Sequence, residues 1–189
     1  MSKGCKWTLI AFCVPGVALF LWALTQIPGS RAAYQKNLAL ERELNRVCQG
    51  KAYPAAAAFA GSEIHPIFLE DASGASHPWN LEMPAEWQPA DADQVELVAC
   101  LESSEVMIQT CSYTGGGSIA RYRYDLSAQI IEAQSGRLVA ERVFQGSEPR
   151  ECGLTEPANL TALFGRVITF PQIKDWLASF VYPSAEKQQ

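Results

Sequence analysis

Residues 121–130, RYRYDLSAQI, decide the fold. Tyr122, Tyr124, Leu126, Ala128 and Ile130 fall on one side of an extended chain, and Arg121, Arg123, Asp125, Ser127 and Gln129 on the other. Successive side chains of a strand point to opposite faces, so this period of two marks a half-buried β-strand. Gln134-Ser135-Gly136 then turns the chain, and RLVAERVFQ from Arg137 returns as the hairpin partner. Upstream, VELVACLE from Val95 and VMIQTCSY from Val106 read as two strands flanking a Ser103-Ser104 turn. TGGGS, Thr114–Ser118, links the second of them to the alternating strand.

Helices flank this meander. Residues 31–49, RAAYQKNLALERELNRVCQ, are good helix formers, with Ser30 as N-cap and Gly50 as terminator. Tyr34, Leu38, Leu44, Val47 and Cys48 approximate an apolar stripe. Ala52–Ala60 suits a short helix or a spacer, and Ile64–Leu69 a strand. Asp71–Pro78 reads as a loop, and Trp79 to Pro89 as an irregular segment with Trp79 and Trp87 as anchors. SEPRECGLTEPANLT after Gly146 is loop. Pro171 opens a last helix, with Ile173, Trp176, Leu177, Phe180 and Val181 at i, i+3, i+4, i+7 and i+8, and Pro183 stops it.

The other decisive stretch is Trp7–Ile27, WTLIAFCVPGVALFLWALTQI, which carries no charge. As a helix it covers about 31 Å, close to a bilayer's hydrocarbon core of about 30 Å. It is longer than the apolar region of a cleaved signal peptide. The expected fold is therefore α+β: a single transmembrane helix, then an antiparallel sheet with an N-terminal helix and a C-terminal amphipathic helix packed on it. The expected segments are a basic tail 1–6, the anchor 7–27, a helix and Ala-rich spacer 28–60, a globular part 61–183 and a flexible tail 184–189. Lys3 and Lys6 favour a cytoplasmic N-terminus, whereas Arg31, Lys36, Arg42 and Arg46 vote for the other side. Signal-anchor insertion and the cysteine usage point to an extracytoplasmic domain.

Beyond residue 27 the chain holds 13 basic and 20 acidic residues, a net −7, because Lys3 and Lys6 take two of the 15 cations and none of the 20 carboxylates lies before residue 28. Such a domain is a poor binder of nucleic acid. Four of the six cysteines lie in it: Cys48, Cys100, Cys111 and Cys152. An even number with no Cys-x-x-Cys spacing predicts disulfides rather than a zinc ribbon. A tight Ser103-Ser104 hairpin would place Cys100 and Cys111 about 13 Å out of register, beyond the ~5.5–6 Å Cα separation of a disulfide. Cys48 and Cys152 are thus the expected partners of these two, in either assignment. The alternative is four buried thiols in a cytosol-facing domain.

No catalytic, metal or cofactor motif stands out. His65 and His77, each before a proline, could join Glu70 or Asp71 at a metal, and His65 could act as a general base; the plainer reading is structural histidines. TGGGS lacks the Lys of a P-loop and reads as a hairpin loop. Arg121 and Arg123, joined by Arg142 across the hairpin, form either a solvated face or a partner-binding face for carboxylates. Asn159-Leu160-Thr161 matches a glycosylation acceptor.

The runs HP at 65–66, PAEW at 84–87, ELVAC at 96–100, QTCSYTGG at 109–116, RYRYDL, EAQSGRLV and GSEPREC resemble a set of bacterial membrane-anchored proteins of no known activity. The resemblance spans residues 60–160. It implies a bacterial envelope setting and carries no catalytic residues. The expected function is a non-enzymatic extracytoplasmic binding module, or accessory subunit of a membrane complex, held in the membrane by residues 7–27 beside a protein partner. The alternative is a small envelope hydrolase or thiol-redox enzyme using His65 or a free cysteine.

Overall fold

The computed structural model describes residues 31–61, 63–157 and 159–182. The chain divides into two compact units, 1–38 and 39–189. The described part of the first, 31–38, is helical and belongs to α1, residues 31–44. Tyr34 is exposed, so it does not extend the apolar stripe expected for this helix. The apolar stretch 7–27, the tails 1–6 and 184–189, the Ser30 cap and the Pro183 stop lie outside the described residues. Among the described residues no helix is long and apolar enough to cross a membrane.

The second unit is α+β with a mixed sheet. Its strands are β1 (Ile67–Asp71), β2 (Leu97–Ser112), β3 (Ser118–Glu132), β4 (Leu138–Gln145) and β5 (Ala162–Phe164), followed by helix α2 (Phe170–Val181). The order is β1-β2-β3-β4, with β5 also on β3. The meander β2-β3-β4 is antiparallel as expected. The sheet as a whole is not. β1 runs parallel to β2, with Ile67 opposite Leu97, and β5 runs parallel to β3, with Ala120 opposite Ala162. A parallel pair needs a long crossover, and residues 72–96 provide it as short 3-10 turns at Pro78–Leu81, Ala85–Trp87 and Ala92–Gln94.

The expected Ser103-Ser104 turn is absent. β2 passes straight through it, with Ser103 opposite Leu126 and Ser104 opposite Asp125. Tight hairpin turns need positive φ, which a Ser-Ser pair adopts only at a steric cost, and no non-glycine residue among the described ones has positive φ. β3 is nearly as long and pairs with β2 almost end to end, so the two serines gain ladder partners by staying extended.

Alternation sends the two faces of the sheet into different clusters. Leu97, Ala99 and Leu101 of β2 join Leu126, Ala128 and Ile130 of β3 beneath Ile173, Leu177 and Val181 of α2. Phe68, Val98, Cys100 and Ile131 on the other face pack with Leu40, Leu44 and Val47. Burial on both faces explains the near-continuous apolar run VELVACL, which a one-sided strand would interrupt. The final helix falls where its spacing places it. Its N-terminus is closed by Gln172 Oε1, which accepts from the Thr169 amide at 2.8 Å and the Thr169 hydroxyl at 3.0 Å.

The outer edge of β1 is closed partly by backbone, through the Glu70–Ser76 bridge and the His77 amide on the Leu69 carbonyl, and partly by a side chain. Buried Asn80 accepts the Leu69 amide at 2.9 Å and donates to the Leu69 carbonyl at 2.7 Å, as a neighbouring strand would. Asn80→Ala leaves the buried Leu69 amide without a partner, while the Leu69 carbonyl keeps the His77 amide at 2.9 Å. It is expected to lower stability by about 1–3 kcal/mol, read as a shift in the urea midpoint at constant slope. The loop above is held by Gly74 (φ +87), where a Cβ would collide with the Asn45 carbonyl.

Candidate functional site

The four cysteines of the domain form two bridges, Cys48–Cys100 and Cys111–Cys152, with Cα separations of 5.5 and 6.3 Å. Both expected partners were the right ones, and the register assigns them. Cys48 sits in the 3-10 turn Val47–Gln49, which ends at left-handed Gly50, and it meets Cys100 on the α1 side of the sheet. Cys111 faces Ile119 across β2–β3, on the side that also carries Arg121. Cys152 reaches it from the loop after β4.

That loop explains Arg121. Residues 146–161 leave the β3 edge, where the Gly146 amide bonds to the Tyr124 carbonyl, and return to it at β5. Arg121, buried, donates to the Pro149 carbonyl at 2.7 Å and the Arg150 carbonyl at 3.1 Å, and also to Gln109. Arg150 in turn grips Glu156 at 2.5 and 2.6 Å, which with the Gly153 amide holds that carboxyl down to about 2.

The three arginines expected to share a face do not. Arg123 shares the Arg121 side, but it is committed to Asp125 through bonds of 2.6 and 2.9 Å. Arg142 lies opposite Ala128, not opposite an arginine-side residue, so it projects on the α2 side. There it stands 4.8 Å over the Phe144 ring, which meets Trp176 edge-on. The hairpin register, invisible without the turn geometry, decides this. No continuous basic face exists across β3 and β4.

The histidines are separate too. His65 is buried, its Nδ1 2.6 Å from Glu96 Oε2, its backbone amide bonded to the Val181 carbonyl and its ring against Phe59. His77 instead accepts the Trp79 amide at 3.3 Å, and burial lowers its pKa against the pull of Asp71. Among the described residues no group of three or more His, Cys, Asp or Glu could hold a metal ion.

Sequence reasoning missed Glu70 as a group in its own right. It is fully buried on β1, beside Cys100 in register, with no partner for either carboxyl oxygen among the described residues. Burial first, then Glu41 and Asp71, pushes its pKa up to about 8. The available signal was an acidic residue in IFLED at the same parity as Phe68.

One open feature is the far half of the β2–β3 ribbon. β1 covers β2 only as far as Leu101. From Glu102 to Ser112 no strand among the described residues pairs with that edge of β2. Met107 is exposed there, and Tyr122, opposite it, stacks on exposed Phe164. Glu102, Glu105 and a bulge between Met107 and Gln109 interrupt the edge, devices that discourage indiscriminate pairing. The arrangement defines a disulfide-bonded α+β domain in which two strand edges have no partner among the described residues, β2 beyond Leu101 and the outer edge of β4. No family model matches the chain, and no curated protein or solved structure matches it either.

Proposed function

We propose that this chain is a membrane-anchored, extracytoplasmic, non-enzymatic binding module, an accessory subunit that takes a strand of a membrane-complex partner along β2. The observation that carries the reading is the unpaired edge from Glu102 to Ser112. Strand addition gives affinity through main-chain bonds and specificity through flanking side chains. Glu102 and Glu105 select a partner strand with basic residues. The two disulfides support an oxidising compartment, and residues 7–27 supply the anchor. Nucleic acid and cofactors have no part in this reading.

A photo-crosslinking side chain at Ser104, in native membranes, is expected to trap one membrane protein. The same probe at exposed Val143 on β4 should not. Glu102→Lys with Glu105→Lys should abolish the Ser104 product. Identical products from both positions, or a product indifferent to the charge reversal, would sink the proposal.

A second reading, a small envelope hydrolase, draws on the His65–Glu96 pair, which has the geometry of a base held by its orienting carboxylate. A free-cysteine enzyme finds no thiol among Cys48, Cys100, Cys111 and Cys152.

A further inference from the structure

One cavity has no part in strand pairing. It measures about 360 Å3, within the range of roughly 300–1,000 Å3 of small-molecule sites. Arg42 from the last turn of α1, Arg46 just beyond its end, Lys51 and Tyr53 from beyond the Gly50 turn, and Glu43 line it over buried Val47. Gly50, at φ +78, reverses the chain after the 3-10 turn and brings Lys51 back beside the arginines. Glu43 is engaged by the Tyr53 hydroxyl at 3.2 Å. The side chains of Arg42, Arg46 and Lys51 have no hydrogen-bond or ion-pair partner among the described residues.

Three cations without a partner among the described residues, against one carboxylate, stand out in a domain of net −7. Cations near a helix C-terminus complement its dipole, and this accounts for Arg42 and Arg46. It does not account for Lys51, which lies past the terminator and lines the same cavity. Arginine supplies a fork of donors that matches a phosphate, and lysine a mobile point charge beside it.

We infer that this cavity is a binding site for a phosphate-bearing anion, held by Arg42, Arg46 and Lys51. The phosphate comes either from a soluble ligand or from an anionic lipid headgroup. Both present the same oxygens to the same cations.

The test uses the full chain in zwitterionic lipid nanodiscs, titrated with inorganic pyrophosphate and followed by the unfolding midpoint. The midpoint is expected to rise saturably, and added salt to weaken the effect. Arg46→Gln and Lys51→Gln should each weaken binding about tenfold and together abolish it, since each removes a charge-assisted contact. Arg142→Gln, on β4, should leave it unchanged. All three side chains are exposed, so the variants retain the fold. Repeating the titration in discs containing phosphatidylglycerol identifies the source. A fall in pyrophosphate affinity there, together with a rise of the pyrophosphate-free midpoint that the Arg46→Gln/Lys51→Gln chain does not show, assigns the site to a lipid headgroup. Equal affinity in both discs assigns it to a soluble phosphate. No saturable binding in zwitterionic discs, or binding indifferent to the two substitutions, overturns the inference.

Discussion

Replacing Cys48 and Cys100 together by alanine is expected to destabilise the domain by about 4 kcal/mol at 25 °C. The bridge closes a loop across a sequence separation of 52, and the chain-entropy relation gives that order of magnitude. Against a typical total of about 5–15 kcal/mol, this is a large share. For a unit of this size it should appear as a fall of roughly 8–16 °C in midpoint. The second bridge spans a separation of 41, so its entropic contribution is similar, but its loss should be felt locally. Cys111→Ala with Cys152→Ala frees the loop 146–161 from the ribbon, and limited proteolysis should then cut within 147–161 first. Alkylation of the native protein without reductant should label none of Cys48, Cys100, Cys111 and Cys152. Four labelled thiols would place the domain on the cytosolic side and reopen thiol chemistry there.

The second large effect comes from Glu70. Its folded pKa is raised from 4.5 to about 8 by burial, with Glu41 and Asp71 adding repulsion. Below pH 4.5 the carboxyl is neutral folded and unfolded, and it imposes no penalty. Between 4.5 and about 8 the unfolded chain gives up the proton while the folded one keeps it. Stability therefore falls as pH rises through that window, by about 1.4 kcal/mol per pH unit from this group alone. The full loss is on the order of 5 kcal/mol by pH 8 and above. Glu70→Met and Glu70→Gln should flatten the slope, and Glu70→Met should exceed the natural chain in stability at pH 8. Urea midpoints measured from pH 5 to 8.5 decide it. A natural chain whose midpoint changes with pH no differently from that of Glu70→Met would show that Glu70 ionises freely, since His77, with its lowered pKa, contributes equally to both.

The parts legible in the sequence were those with a strong local period. β3 announced itself through Tyr122 to Ile130, and α2 through Ile173, Leu177 and Val181. The cysteine partners were expected from counting and from a Ser103-Ser104 hairpin that the structure lacks; they hold because Cys100 and Cys111 lie on one continuous strand and so are even further apart. Other features depended on long-range pairing. β1 finds β2 across residues 72–96, and its parallel direction leaves no local mark. β5 is three residues long and exists because the loop before it is tied down by Arg121 and Cys152. Ser103-Ser104 carries turn-forming residues, yet the length of β3 overrides them. Of the candidate site residues, the arginines were chosen by parity along one strand. Arg142 belonged to another strand whose register was unknown, so it fell on the wrong side.

The bridge from Cys48 to Cys100 also fixes how the domain bears force. It joins the turn just after α1 to β2, the strand that carries the open edge. If residues 7–27 are held in a bilayer and β2 is gripped by a partner, tension runs down the covalent link from Cys48 to Cys100. Residues 49–99, with β1 and the three 3-10 turns, lie outside that path and carry no load. With the bridge intact, pulling the partner away tests the strength of the new strand pairing before it can unravel the intervening crossover.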